Sequence, residues 1–404
     1  MSTAENHTVE NTPTRSGPDP KPPSALDRLI ISDAETQLTN TQSASNQDIL
    51  ILDDPTGHLT RWALTHTAPS KHRVISRQRS YTDALTLHHT FRKQDPDAAT
   101  RLIIAGLDQK GQIDPSTFSL YNTLTTHHFK GTLALGHLPK SHAALADLAH
   151  DFARYQAEQG SEATVLLGGN TKHMTPTFNQ TLARNFTQVQ GLYGKGKHRC
   201  LRASSPTPSP APPRLAGPLQ AVGGVFSAGK ADLGGQLLAT CLLAELGKQS
   251  PTQPLTLIDL GCGNGSVTHQ TLQELAAGIE IKRVWATDLD VDAVRSASLN
   301  LGKDPRVQIS WDDAGSRLPR ASAHIVLLNP PFHTGTALDL SLVGPLLDAA
   351  LSLLVPGGQL FLVHNSHARY RQQVEARFEQ VKQVKRTPTF TVLAARAPQR
   401  EEKQ

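Results

Sequence analysis

Two short stretches of this chain carry residues whose type and spacing suit group transfer to a poorly nucleophilic nitrogen. The first is Asp259-Leu260-Gly261-Cys262-Gly263-Asn264-Gly265-Ser266, after an apolar run. Glycines at every second position let a backbone turn tightly and approach a ligand closely. A helix opening at Ser266 adds free N–H groups. Asp259 is placed to accept from a cationic amine. Asp288, 23 residues after Gly265, stands where an acidic side chain can take both hydroxyls of a ribose. Asp312 or Asp313, after a third strand, can accept from an adenine amino group. A dinucleotide-type GxGxxG would need glycine at position 266, where Ser266 stands.

The second stretch is Asn329-Pro330-Pro331-Phe332. An exocyclic or amide nitrogen has its lone pair delocalised, so it attacks poorly. Two acceptors placed beneath its N–H groups pull them out of plane and aim the lone pair. The Asn329 side-chain oxygen and the Pro330 carbonyl can serve, and Pro330 has no N–H to donate. Phe332 offers a face for a flipped planar base.

These residues need a scaffold. Leu255–Leu260, Arg283–Thr287, Val307–Ser310, His324–Leu328 and Gln359–Val363 read as strands, with amphipathic segments such as Val267–Ala276 and Asp290–Leu301 between most of them. Short apolar strands alternating with helices predict a mostly parallel sheet covered on both faces. Asn329 to Phe332 would then close the fourth strand, at the carboxyl edge beside the glycine loop. The N-terminal half repeats the plan weakly. Ile49–Leu52 ends in Asp53, as Leu257–Ile258 ends in Asp259. Thr132–Leu135 leads to Gly136-His137-Leu138-Pro139, as His324–Leu328 leads to Asn329-Pro330. Thr164–Leu167 leads to Asn170, as Leu360–Val363 leads to Asn365. The glycines and the Asn-Pro-Pro-Phe are missing from this first copy, so neither cofactor binding nor catalysis is expected of it.

Composition sets the boundaries. Residues 1–25 hold five prolines and little apolar content, the signature of a disordered tail. Residues 203–218 hold six prolines in sixteen and read as a linker. The expected organisation is tail 1–25, first domain 26–202, linker 203–218, catalytic domain 219–397 and polar end 398–404. The fold class is α/β, two tandem Rossmann-like domains with the N-terminal one degenerate. No apolar run reaches the ~18 residues of a membrane span, and the N-terminus lacks the apolar core of a secretion signal. The three cysteines form no CxxC pair and the 18 histidines no ligand spacing. A cytoplasmic monomer with no metal is expected.

The acid–GxGxG–acid pattern resembles class I S-adenosylmethionine (SAM) methyltransferases. That resemblance implies SAM as cofactor and S-adenosylhomocysteine as product. It favours Asp313 over Asp312 at the adenine, because Ala314 follows it. The tetrapeptide is similar to that of amino-methyltransferases acting on adenine N6, guanine N2 and protein glutamine. An already activated methyl donor needs no metal and no covalent enzyme nucleophile, so catalysis by in-line displacement is mainly alignment and electrostatics. Further features are Gly224-Val225-Phe226-Ser227 with Asp232, Asn329-Pro330-Pro331-Phe332-His333, Pro356-Gly357-Gly358 and Asn365. Together with the degenerate first copy, these resemble the ribosomal RNA guanine-N2 methyltransferases of the RsmC/RlmG type. The resemblance implies that Phe226, Ser227 and Asp232 lie near the amino-acid end of SAM, and that the first domain helps hold RNA.

Charge distribution agrees. Between Glu162 and Asp232 lie 69 residues with eight Lys/Arg and no acid. Lys195, Lys197, Arg199 and Arg202 are the candidates for phosphate contacts, and a solvated surface loop is the bland reading of the same residues. From Ser366 to Gln404 there are nine Lys/Arg against four acids, which an exposed helix explains equally well. The expected partner is ribosomal RNA or a ribosomal subunit. The alternatives are an adenine-N6 or glutamine-N5 methyltransferase and, in a different class, a non-catalytic RNA-binding assembly factor. The last would tolerate loss of the glycines or Asn329, and both are intact.

Overall fold

The computed structural model describes residues 22–40, 47–212, 217–330, 343–368 and 370–399. Pro331, Phe332 and most of the expected N-terminal tail lie outside the described residues. The first half runs α1 Ala25–Asn40, β1 Ile49–Leu52, α2 His58–Thr67, β2 Val74–Arg77, α3 Tyr81–Gln94, α4 Pro96–Ala99, β3 Leu102–Ile104, α5 Leu120–Thr126, β4 Leu133–His137, α6 His142–Glu158, β5 Thr164–Asn170, α7 Pro176–Leu182, β6 Phe186–Gly191 and β7 His198–Pro206. The second runs α8 Leu233–Gln249, β8 Leu255–Leu260, α9 Ser266–Gln273, β9 Ile281–Asp288, α10 Val291–Leu301, β10 Val307–Trp311, β11 Ala323–Leu328, α11 Val343–Leu353, β12 Leu354–Asn365, α12 Arg371–Glu375, β13 Glu379–Arg386 and β14 Phe390–Arg396.

Each half builds one seven-stranded sheet, and both have the same order: β3-β2-β1-β4-β5-β7-β6 and β10-β9-β8-β11-β12-β14-β13. Five strands of each pair in parallel, and β7 and β14 then run antiparallel to both of their neighbours, so that the edge strands β6 and β13 point the same way as the first five. The chain is thus a tandem pair of Rossmann-like domains. The central strands are mostly apolar, as in Ile49-Leu50-Ile51-Leu52, where all four side chains are buried; Asp259 in β8 is an exception. Strands covered by helices on both faces require that.

The register corrects the sequence alignment of the two copies. Leu52 pairs with Arg77 and Gly136, and Leu260 with Thr287 and Leu328. Asp53 therefore takes the place of Gly261, not of Asp259, whose counterpart is Ile51. His137 takes the place of Asn329, and Pro139 that of Pro331 rather than Pro330. Asn170 and Asn365 do correspond, and each accepts from the N–H two residues on.

Two further elements differ from expectation. Strand β7 continues to Pro206, so the first four residues assigned to the linker lie in the sheet. Its alternation places Leu201 and Ala203 in the core, and prolines are tolerated at a strand end. The basic C-terminal segment is not a long helix. Lys382, Lys385 and Arg386 belong to β13, the edge strand, where charges discourage pairing with another chain.

The domains meet across a local two-fold. Tyr81 N–H donates to the Leu289 carbonyl (2.9 Å) and Val291 N–H to the Arg79 carbonyl (2.9 Å), around the bridge Ser80–Asp290. In the register above, Arg79 and Leu289 correspond, as do Tyr81 and Val291, so the contact is isologous in the sense of a symmetric dimer interface. Around it, Val291, Val294 and Trp311 join the first domain's core cluster. Buried Arg77 reaches Asp292 (2.5 Å), and Arg295 reaches Asp147 (2.6 Å).

Candidate active site

The glycine loop turns as its composition predicts. Gly261, Gly263 and Gly265 have φ of 81°, 55° and 82°, a region that costs other residues ~1–2 kcal/mol. A Cβ on Gly261 or Gly263 would meet nothing within 4 Å, whereas one on Gly265 would strike Leu301. The first two glycines keep a floor open for a ligand, and the third lets α10 approach.

Acidic side chains surround that floor. Asp259 is buried and accepts from the Thr268 hydroxyl (2.7 Å), and burial raises its pKa to about 6. Asp288 accepts from Gly263 N–H and Asp290 N–H (2.9 Å each), and burial raises its pKa to about 7. A cation or a set of hydroxyl donors would return both to the charged form. Asp312 is buried and used up locally, accepting from Thr287, Ser310 and Gly315. Asp313 is exposed and makes no ion pair among the described residues. The packing thus leaves Asp313, not Asp312, available for a ligand.

The segment before α8 forms a second wall. Ser227 and Ala228 have positive φ (60° and 49°), and Phe226 is 67% exposed. Asn264 donates to the Ala228 and Lys230 carbonyls (2.8 and 3.0 Å), stapling this wall to the glycine loop. Sequence reasoning missed Asn264. Its place between two φ-positive glycines was the available signal.

Asp232 caps α8 by accepting from Gly235 N–H (2.9 Å). The same oxygen accepts from the Asn329 side-chain Nδ2 (3.0 Å). A carboxylate only accepts, so the contact fixes which way the amide points. Asn329 Oδ1 is then left buried with no partner among the described residues, an arrangement that costs ~1–3 kcal/mol and calls for a donor from a ligand. Pro330 is buried beside it. Phe332 lies outside the described residues.

The degenerate copy lacks most features of the glycine loop. Asp53 and Pro55 replace Gly261 and Gly263, and Pro55 has no N–H to match the one Gly263 gives to Asp288. Gly57 alone persists as the cap of its helix, with φ of 75°. Where Asn329 meets Asp232, His137 meets buried Asp27 (2.8 Å), whose pKa is lowered to about 2 despite its burial.

In the basic stretch, Lys195, Lys197 and Arg199 are exposed around the β6–β7 turn, beside Tyr193 at 98% exposure. They make no ion pair among the described residues. Arg202 differs: it donates to Gln37 (3.0 Å) and packs against Gln190, a structural use of the side chain. Among the described residues there is no cluster suited to a metal ion, and no helix is long and apolar enough to cross a membrane.

Known proteins resemble this chain in both halves. The family described as RLMG N-terminal domain matches residues 3–207, and the methyltransferase small domain matches residues 217–394. The chain belongs to the RsmC/RlmG-type ribosomal RNA methyltransferases. The ribosomal RNA large subunit methyltransferase G of Pseudomonas entomophila is 28% identical over 93% of this chain and 96% of its own length. That of Pseudomonas syringae pv. tomato is 30% identical over 64% of this chain and 69% of its own. In fold, the chain resembles the Thermus thermophilus 16S rRNA N2 G1207 methyltransferase RsmC, solved with AdoMet and guanosine. The TM-score is 0.61 at 21% identity, covering 90% of this chain and 91% of that one. As an RsmC/RlmG-type enzyme, the chain is a SAM-dependent rRNA methyltransferase.

Proposed function

We propose that the enzyme methylates the exocyclic N2 of a guanine in large-subunit ribosomal RNA. The observation that carries the chemistry is Asn329 Oδ1, buried without a partner among the described residues and fixed in direction by Asp232. When bound, SAM supplies a methyl group already activated as a sulfonium. The protein's part is alignment. Asn329 Oδ1 and the Pro330 carbonyl accept from the guanine amine and direct its lone pair, while Phe332 stacks on the flipped base. Asp259 and Asp232 face the amino-acid end, Asp288 the ribose and Asp313 the adenine. Support for guanine N2 comes from the substrate named for the RsmC neighbour, and support for the large subunit from the names of the relatives. Transfer from labelled SAM to each subunit's rRNA, followed by nucleoside analysis, tests both. N6-methyladenosine as product would refute the base assignment, and label confined to small-subunit RNA would refute the subunit.

Asp288 sets the cofactor affinity. Asp288→Ala should weaken SAM binding ten-fold or more, since charge-assisted hydrogen bonds contribute ~1.5–3 kcal/mol each. The apo carboxyl is protonated below its raised pKa of about 7, and the ribose hydroxyls need its charged form. SAM affinity of the wild type should therefore fall as pH drops below 7, with Asp259 adding to the fall near 6. Asp288→Asn should flatten the upper part of that profile in calorimetry. An unchanged profile would remove Asp288 from the ribose.

Lys195, Lys197 and Arg199 serve the RNA. Each phosphate contact on single-stranded RNA contributes a slope of about −0.7 in log affinity against log salt. Changing all three to Glu should weaken RNA binding, flatten that slope by about 2 and leave SAM affinity alone. Superimposable salt dependences for mutant and wild type would place the RNA elsewhere.

A further inference from the structure

We infer that Arg79, a side chain of the domain that lacks a cofactor loop of its own, is a positioning residue for the SAM site of the other domain. The inference rests on SAM lying between the glycine loop, Asp288 and the 226–232 wall. Two pieces of that enclosure are gripped from outside the catalytic domain: the turn after β9 and the start of the wall at Gly224. Arg79 holds both. Its Nε and Nη2 donate to Asp290 Oδ2 (2.9 and 2.6 Å), and Nη2 also donates to the Gly224 carbonyl (2.6 Å).

Each contact leads directly to the site. Asp290 N–H donates to Asp288 Oδ1 (2.9 Å), while Gly263 N–H donates to Asp288 Oδ2. The ribose carboxylate is thus oriented by the backbone of the residue that Arg79 grips. Gly224 lies two residues before Phe226, and its own N–H donates to Asp292 Oδ2 (2.8 Å). Asp292 is in turn neutralised by Arg77, both nearly fully buried. The wall therefore has three anchors: Asn264 at Ala228 and Lys230 and Asp292 at the Gly224 N–H, both from within the catalytic domain, and Arg79 at the Gly224 carbonyl, from the first domain.

The local two-fold explains how a side chain of one copy came to serve the other. Arg79 and Leu289 occupy corresponding positions on the two sides of the symmetric bridge, where each carbonyl accepts from the other domain. The backbone contact is reciprocal and the side chains are not: only the first copy carries a guanidinium there. A planar fork suits three acceptor contacts on two segments, which a single ammonium cannot reproduce.

In the full-length protein, Arg79→Met should raise the SAM dissociation constant about ten-fold, the effect of removing one charge-assisted hydrogen bond. Turnover at saturating SAM and the salt slope of RNA binding should stay near wild type, and Arg79→Lys should fall between. A purely structural role predicts a lower melting temperature with unchanged SAM affinity in the folded variant, and that result overturns the inference. If Arg79→Met does not fold, Asp290→Asn, which keeps the oxygen that caps α10, reads the same effect; unchanged affinity there is equally fatal. Asp288→Ala measured alongside separates the failures. Weaker binding with Asp288→Ala but not with Arg79→Met refutes the role of Arg79 alone. Unchanged binding with both refutes the cofactor site on which it rests.

Discussion

Asn329→Ala is expected to slow methyl transfer by about 100- to 1,000-fold, the effect typical of removing one aligned acceptor or donor at a reacting centre. SAM affinity should change by no more than a few fold, because in the proposed mechanism Asn329 Oδ1 accepts from the amine and not from the cofactor. The geometry sharpens this. Nδ2 is taken by Asp232, and among the described residues Oδ1 has no partner, so the amide has one remaining function. Asp232 keeps its helix-capping bond from Gly235, which confines the damage to the substrate side. Asn329→Asp would be no substitute, since it sets a second carboxylate against Asp232 and removes the donor that fixes its direction. Single-turnover kinetics beside calorimetry measure both quantities. Wild-type turnover in a folded Asn329→Ala protein would exclude Asn329 from the mechanism.

What could be read from the sequence was local. Strands β8 to β12 announce themselves as apolar runs, and the glycine loop follows directly from one of them. Position then gives Asp259, Asp288 and Asn329 without knowledge of anything distant. The pairing of Asp232 with Asn329 spans 97 residues, and that of Arg79 with Asp290 spans 211. No periodicity encodes such contacts, which exist only because two strand ends and two domains come together. Strand β13 was hidden for another reason. As an edge strand exposed along most of its length, it carries charges where a central strand would carry valines, so its composition resembles a solvated helix. The error in aligning the copies arose similarly. Asp53 and Asp259 match as letters, but the ladder pairs them two residues apart, and only hydrogen bonding defines equivalence.

Trp311 should prove the most sensitive residue of the domain interface. It is fully buried, packs edge-on against Tyr81 and Phe118 of the first domain, and donates its indole N–H to the Leu289 carbonyl (2.8 Å). Trp311→Ala should cost ~3–5 kcal/mol, read as a lowered midpoint in denaturant unfolding. Its partner is Gly106, two residues past the end of β3, where continuing the register of the first copy puts the counterpart of Trp311. Gly106 has φ of 84°, and a Cβ there would lie 2.7 Å from the Trp311 ring. One copy thus supplies the ring and the other the space, an asymmetry imposed on a contact whose backbone is still symmetric. Gly106→Ala should destabilise through both strain and overlap, with ~1–2 kcal/mol from the left-handed backbone alone. The two effects separate in a double-mutant cycle, because Trp311→Phe removes the overlap with the Trp311 ring and leaves both the strain and the tight contact with Phe118 (3.1 Å). Gly106→Ala should therefore cost less in the Trp311→Phe background than in the wild type. Strict additivity would mean that the ring and the glycine do not meet.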